Sequence, residues 1–322
     1  MDAAEFALTH RAPAPSPWRP RLRIGLLNNM PDAALCATER QFGDLLREAA
    51  DETEIELVLF ALPGVARSDK ALANMAGRYE DAAGLADAGL DGLIVTGAEP
   101  RAARLDEEPY WPALAAAADW TRAAAMPTIW SCLAAHAAVL HFDGVERRPL
   151  PAKLSGVFAS APASADPLVA GAPFHTPHSR LNGLDEGDLV RNGYDILTRS
   201  PDAGVDAFAR RDGALALFLQ GHPEYDAETL MREYLRDVGR FLRGERPVRP
   251  STPANYFGMP TETRLARLAG RDRATMADYE AALGAAAPQR AWRGSAVRLY
   301  RRWLDEAAGV TAPARDLARA AS

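Results

Sequence analysis

Cysteine is scarce: Cys36 and Cys132 are the only two among 322 residues. Two thiols allow one disulfide but no disulfide scaffold, and they offer no set of thiolates for structural zinc. The six histidines form no HExxH pattern. Metal binding is therefore not expected. Aromatic residues make up only 7% of the chain, so abundant alanine must supply much of the helix packing. No apolar run reaches membrane-spanning length, which argues against a membrane partner. Basic charge is not in excess either. The net charge of -6 gives no electrostatic reason to expect nucleic acid as the main partner. Small anionic substrates remain admissible, because they answer to a pocket and not to the total. Residues 1–20 carry four prolines and acidic groups where a signal peptide would have an apolar core. They read as a flexible tail, and the expected compartment is the cytoplasm.

What remains suits a globular protein, with 48% hydrophobic and 25% charged residues. RLRIGLLNNMP (21–31) reads as a buried strand ended by Asn28, Asn29 and Pro31. A helix is expected over 37–50, with Thr38 and Gln41 spaced as a capping box. Strands follow at 55–62, 91–100 and 127–132, with helical stretches at 76–90 and 107–125. Pro109 is tolerable in the second of these only within its first turn. Another helix begins near Cys132. GVFAS (156–160) and DILTRS (195–200) are further strand candidates, and 214–242 repeats the order strand, glycine turn, helix. The proline-rich 246–260 suits neither a helix nor a central strand, and two helices are expected beyond Thr261. Short apolar strands alternating with longer amphipathic helices predict an α/β fold with a mainly parallel sheet flanked by helices. Residues 21–308 read as one domain, followed by a soft tail over 309–322.

Side chains at the carboxyl ends of parallel strands face a common crevice. Cys132 and the GHPEY segment, 221–225, both sit at such ends. If the two strands are close, His222 can take the thiol proton and Glu224 can orient the imidazole, giving a cysteine triad suited to acyl transfer. Amide groups at the start of the following helix would favour thiolate and hold an oxyanion. Spacing alone leaves the other reading open: a cysteine flanked by apolar residues in the core, and a histidine that caps or hydrogen-bonds. His136 lies one helical turn beyond Cys132, either as an auxiliary substrate contact or as a satisfied histidine. Arg180 and Arg236 can each grip a carboxylate, and Glu233 an ammonium group, against the alternative of ordinary ion pairs. Cys36 fits packing or a turn better than catalysis, and nothing comparable speaks for His141.

The motifs LLNNMP, TERQF, DGLIVTGA, YWPAL, CLAAHAA, PLPAKLSGVF, PHSR, GHPEYDAETL, EYLRDV, NYF and WRGSAVRLYRRWL follow one another over about residues 21–308. In that order they resemble the MetA-type homoserine O-acyltransferases, often named homoserine O-succinyltransferases. The resemblance implies a branch of the class I glutamine amidotransferase-like α/β fold. It implies that Cys132 carries the acyl group from coenzyme A and that His222 and Glu224 complete the triad. Glu233 and Arg236 match the family's acceptor site, and Ser179 and Arg180 match a second substrate-facing pair. The implied reaction is ping-pong: succinyl-CoA acylates Cys132, then the homoserine hydroxyl takes the acyl group. No tightly bound cofactor is needed, and a homodimer fits the family.

Some positions depart from the family pattern. Asp32 and Ala33 stand where a lysine pair is usual, Leu133 replaces tryptophan, His136 replaces glutamine, and Glu99 replaces proline. At Arg101 the family tends to carry glycine with succinyl donors and glutamate with acetyl donors. An arginine there can pair with the distal carboxylate of a succinyl group, which favours succinyl-CoA over acetyl-CoA. Acetyl transfer and a serine acceptor are the nearest alternatives. Glutamine hydrolysis, peptidase activity and a non-catalytic binding role are the alternatives of other classes.

Overall fold

The computed structural model describes residues 21–309 apart from 172, 272, 285, 287 and 289. The expected tails, 1–20 and all but the first residue of 309–322, lie outside the described residues.

The chain begins with β1 (Arg21–Leu27), α1 (Leu35–Ala49), β2 (Glu54–Ala61), α2 (Asp69–Met75) and β3 (Tyr79–Asp81). It continues with β4 (Gly92–Val95), α3 (Trp111–Ala123), β5 (Thr128–Ser131) and α4 (Leu133–Asp143). Next come β6 (Arg148–Pro162), β7 (Phe174–Gly183), α5 (Glu186–Arg191), β8 (Asp195–Ser200), β9 (Gly204–Asp212) and β10 (Ala214–Leu219). Helices α6 (Thr229–Leu242), α7 (Met259–Ala269), α8 (Met276–Leu283) and α9 (Arg293–Ala307) follow.

The strands form a ten-stranded sheet in the order β3-β2-β1-β4-β5-β10-β9-β8-β6-β7. Pairings from β3 to β10 are parallel, and those from β10 to β7 are antiparallel. All residues of β4 and β5 are buried, as strands covered on both faces require. Alternation along each strand sends neighbours to opposite layers. Trp130 and Phe218 join a cluster with Leu114 of α3 and Val139 of α4. Ile129 and Leu217 join the other face, under Leu45 of α1 and Tyr300 and Trp303 of α9. A third cluster ties α6, α7 and α8 together through Tyr234, Leu265 and Tyr279.

Three local expectations are corrected. Helix α1 starts at Leu35, and its N-cap Ala34 has no side-chain cap. Leu35 is buried, so the apolar stripe begins before Thr38, whose amide already bonds the Ala34 carbonyl. Gln41 bonds Thr229 at 2.8 Å instead of capping. The stretch 76–90 is not one helix. Gly77 takes φ +72°, β3 adds an edge strand beside Leu59–Ala61, and a short 3-10 turn spans Ala82–Asp87. Beyond residue 258 there are three helices among the described residues, not two, with Pro260 in the first turn of α7.

Candidate active site

Strands β5 and β10 are neighbours, with Ser131 opposite Leu219. The next residue, Cys132, keeps the ladder going: its amide donates to the Leu219 carbonyl at 2.7 Å. The backbone then turns sharply into α4, with Cys132 at φ 52°, ψ -113°. That conformation is strained for a residue with a Cβ, and such strain clusters at functional sites. The first amides of α4 have no intrahelical acceptor, so they stand ready for negative charge beside the sulfur. Gly97, in the loop after β4, closes in on this elbow. A Cβ there would lie 2.5 Å from the Leu133 Cβ and 3.2 Å from the Leu133 nitrogen.

From the end of β10, the chain delivers His222, whose amide bonds the Pro177 carbonyl at 2.7 Å. Its Nδ1 lies 2.8 Å from Glu224 Oε1, and its ring stacks on Tyr225 with centroids 4.2 Å apart. Burial alone would push the His222 pKa down. Negative charge at Cys132 and at Glu224, whose Oε1 meets Nδ1, outweighs it and holds the pKa well above the ordinary imidazole value. The sequence-predicted trio is thus brought together around one imidazole. Tyr225 donates to Glu233 Oε1 at 3.0 Å. Glu224 Oε2 and Glu233 Oε2 are buried with no hydrogen-bond partner among the described residues.

These groups line a cavity of about 440 Å³. Its walls come from the start of α1 (Ala34, Thr38, Gln41), the loop after β4 (Thr96, Gly97), and α6 (Thr229, Arg232, Glu233, Arg236). The volume suits a small polar substrate.

A family model for homoserine O-succinyltransferase matches residues 6–312. The chain belongs to this family. A homoserine O-succinyltransferase of Methylorubrum extorquens is 50% identical over 297 residues, 90% of this chain and 88% of the relative. Another, of Rhodopseudomonas palustris, is 54% identical over 246 residues, 76% of this chain and 74% of the relative. Among solved structures, a glutamine amidotransferase from Thermotoga maritima aligns with a TM-score of 0.52 at 13% identity, over 88% of this chain and 98% of that one. That likeness concerns the fold, which is the class I amidotransferase-like α/β fold expected from the motifs.

The remaining residues singled out by the family resemblance are dispersed. Ser179, Glu233 and Arg236 line the cavity with Cys132. Arg180 does not, because successive residues of β7 face opposite ways. Its guanidinium donates to the carbonyls of Asn182 and Ala203 at 2.7 and 2.6 Å and to His178 Nδ1 at 3.3 Å. Those bonds leave no bidentate face for a substrate carboxylate. Arg101 is exposed and outside the cavity wall, its amide tied to Glu108. The structure does not place it beside the acyl group. His136 is buried against Gln220 at 3.0 Å, and burial first of all pushes its pKa down to about 3. Both cysteines are free, with Cys36 exposed, and His141 pairs with Asp119 at 2.8 Å. Among the described residues, no cluster of three or more His, Cys, Asp or Glu is placed to hold a metal, and no helix is long and apolar enough to cross a membrane.

No motif singles out Arg67, which backs the loop carrying Asp32 and Ala33. Its Nη2 donates to the Asn28 carbonyl at 3.1 Å, and its Nη1 to the Met30 carbonyl and to Asp32 at 3.3 Å. Asp32 also accepts the Ser68 amide at 2.8 Å, the first cause of its lowered pKa. The expected lysine pair is thus replaced by an acid held from behind, while Ala33 lines the cavity. Tyr225 and Arg232 were also missed. Tyr225 had a signal in standing next to Glu224, whereas Arg232 became visible only once α6 was placed on the cavity.

Proposed function

We propose that this protein is a homoserine O-succinyltransferase that works through a thioester on Cys132. Membership of the family supports the substrates, and the His222 imidazolium held between Cys132 and Glu224 supports the chemistry. The Cys132 sulfur attacks the thioester carbonyl of succinyl-CoA, while the amides at the start of α4 hold the oxyanion. The bond to the coenzyme A sulfur breaks, and His222 passes its proton to that leaving thiolate. Homoserine then enters against α6, with its ammonium toward the unpartnered Oε2 of Glu233 and its carboxylate toward Arg236. Neutral His222 takes the proton of the homoserine hydroxyl as its oxygen attacks the acyl carbon. The carbon–sulfur bond to Cys132 breaks, and the ion pair is restored. The donor assignment follows the family, not Arg101. The cytoplasm is the compartment where both substrates would be met, and a homodimer is the assembly the family suggests.

Intact-protein mass spectrometry with peptide mapping tests the reading after incubation with succinyl-CoA or acetyl-CoA, without acceptor. A succinyl adduct on Cys132 that homoserine discharges, and that Cys132→Ala lacks, is the expected result. An adduct from acetyl-CoA alone would overturn the donor. Absence of both adducts and of coenzyme A release would overturn the mechanism.

A further inference from the structure

The turn that carries His222 and Glu224 ends in Tyr225. Pro223 supplies the φ that the second position of a tight turn favours, and the Tyr225 amide closes the turn on the His222 carbonyl at 3.2 Å. Such a turn brings its first and fourth residues within about 7 Å of each other. Here their rings meet face to face: the Tyr225 phenol lies on the His222 imidazole with centroids 4.2 Å apart and planes 15° apart. The turn is also held from behind, where the Trp292 indole N–H donates to the Tyr225 carbonyl at 3.1 Å.

The other end of the phenol reaches a different element. Tyr225 is buried, and its hydroxyl donates to Oε1 of Glu233 on α6 at 3.0 Å. Burial first, then the charges of Glu233, Glu224 and Cys132, hold its pKa well above the ordinary phenol value, so the hydroxyl stays a donor. One rigid side chain thus touches both the imidazole and the carboxylate that lines the cavity on α6. The groups facing His222 are Cys132 at the start of α4, Glu224 and Tyr225 on its own turn, and His178 of β7. His178 lies 3.2 Å from Asp206, and burial pushes its pKa down.

We infer that Tyr225 is a positioning residue for both half-reactions, its ring fixing the plane of the His222 imidazole and its hydroxyl fixing the Glu233 carboxylate. This rests on the acyl-transfer reading above. The Glu224 bond holds Nδ1 of His222 but leaves the ring free to tilt about that contact. The flat Tyr225 face removes the tilt, so Nε2 keeps one direction, and a π face also favours a positive charge on the ring above it.

Two variants separate the two roles. Tyr225→Phe keeps the face and loses the hydroxyl. It is expected to raise the KM for homoserine about tenfold while leaving unchanged the burst of coenzyme A released from succinyl-CoA without acceptor. Tyr225→Leu loses the face as well. It is expected to slow that burst about tenfold and to lower the His222 titration midpoint by about one pH unit, whereas Tyr225→Phe keeps the wild-type midpoint. The midpoint is read by nuclear magnetic resonance on histidine-labelled protein without substrate, with His222→Gln assigning the signal. An unchanged homoserine KM in Tyr225→Phe would overturn the link to Glu233. A burst slowed in Tyr225→Phe by as much as its KM rises would reduce the residue to packing. Equal His222 midpoints in the two variants would overturn the role of the ring. A wild-type protein that releases no coenzyme A would sink the function, whereas a lowered midpoint in Tyr225→Leu would still keep the positioning of His222.

Discussion

At His222, a sulfur and a carboxylate both favour the protonated ring. In the proposed thioester the sulfur would be neutral and one of these two supports gone, so the same ring would give up its proton more readily. This is what a base for the homoserine hydroxyl requires. Glu224→Gln removes the other support. It is expected to lower kcat/KM for succinyl-CoA roughly hundredfold. With that support gone the His222 pKa should drop, so the variant's alkaline limb should fall at lower pH than that of the wild type. Superimposable limbs in pH–rate profiles would refute this. His136 behaves oppositely. Its pKa falls from 6.5 to about 3 on folding, so the unfolded chain takes up the proton first. The stability it contributes is present above the ordinary imidazole value and is lost as pH falls from there towards 3. His136→Gln should flatten the acid limb of stability by up to about 1.4 kcal/mol per pH unit, read from denaturant melts. Cys132, His222 and Glu224 were legible because strand ends and a motif located them. The direction of Arg180 was not, since it depends on which face of β7 is turned to the cavity.

Among the elements, the elbow at Cys132 is the most demanding, because it reaches its strained φ without flanking glycines. The glycine that makes room for it stands on another element, at Gly97. Gly97→Ala should force the β4 loop away from α4 and cut kcat/KM at least tenfold while the far-ultraviolet circular dichroism stays native. Full activity in this variant would mean that the loop does not help shape the oxyanion site. The loop from Asn28 to Asp32 depends in a similar way on Arg67. Arg67→Ala should cost about 1–3 kcal/mol through stranded carbonyls, and it should raise the KM for homoserine. Urea titration and kinetics measure the two effects separately. Neither dependence can be read from local sequence, since each joins segments far apart in the chain. The misplaced start of α1 has a nearer cause. Thr38 and Gln41 imitate a cap, but burial of Leu35 rewards starting the helix earlier.

For the whole molecule, hydropathy patterns predicted the layers but not the order of the strands. That β10 pairs with β5, and so sets Cys132 beside His222, follows from packing that no local pattern encodes. The cover provided by α9 is similar. Trp303 is fully buried and lies against Gly92, where a Cβ would come 2.8 Å from the indole. Trp303→Ala should therefore cost about 3–5 kcal/mol in chemical denaturation, and a loss under 1 kcal/mol would show that α9 is a dispensable cover. The place of β10 also bears on how the protein is made. Of the described strands it is the last to leave the ribosome, yet it lies between β5 and β9. Until it arrives, the parallel half of the nascent sheet ends in an open edge at β5, a template for pairing with other chains. Its insertion seals that edge and brings His222 to Cys132 in the same event, so the newly made thiol stays without its imidazole until the sheet is closed.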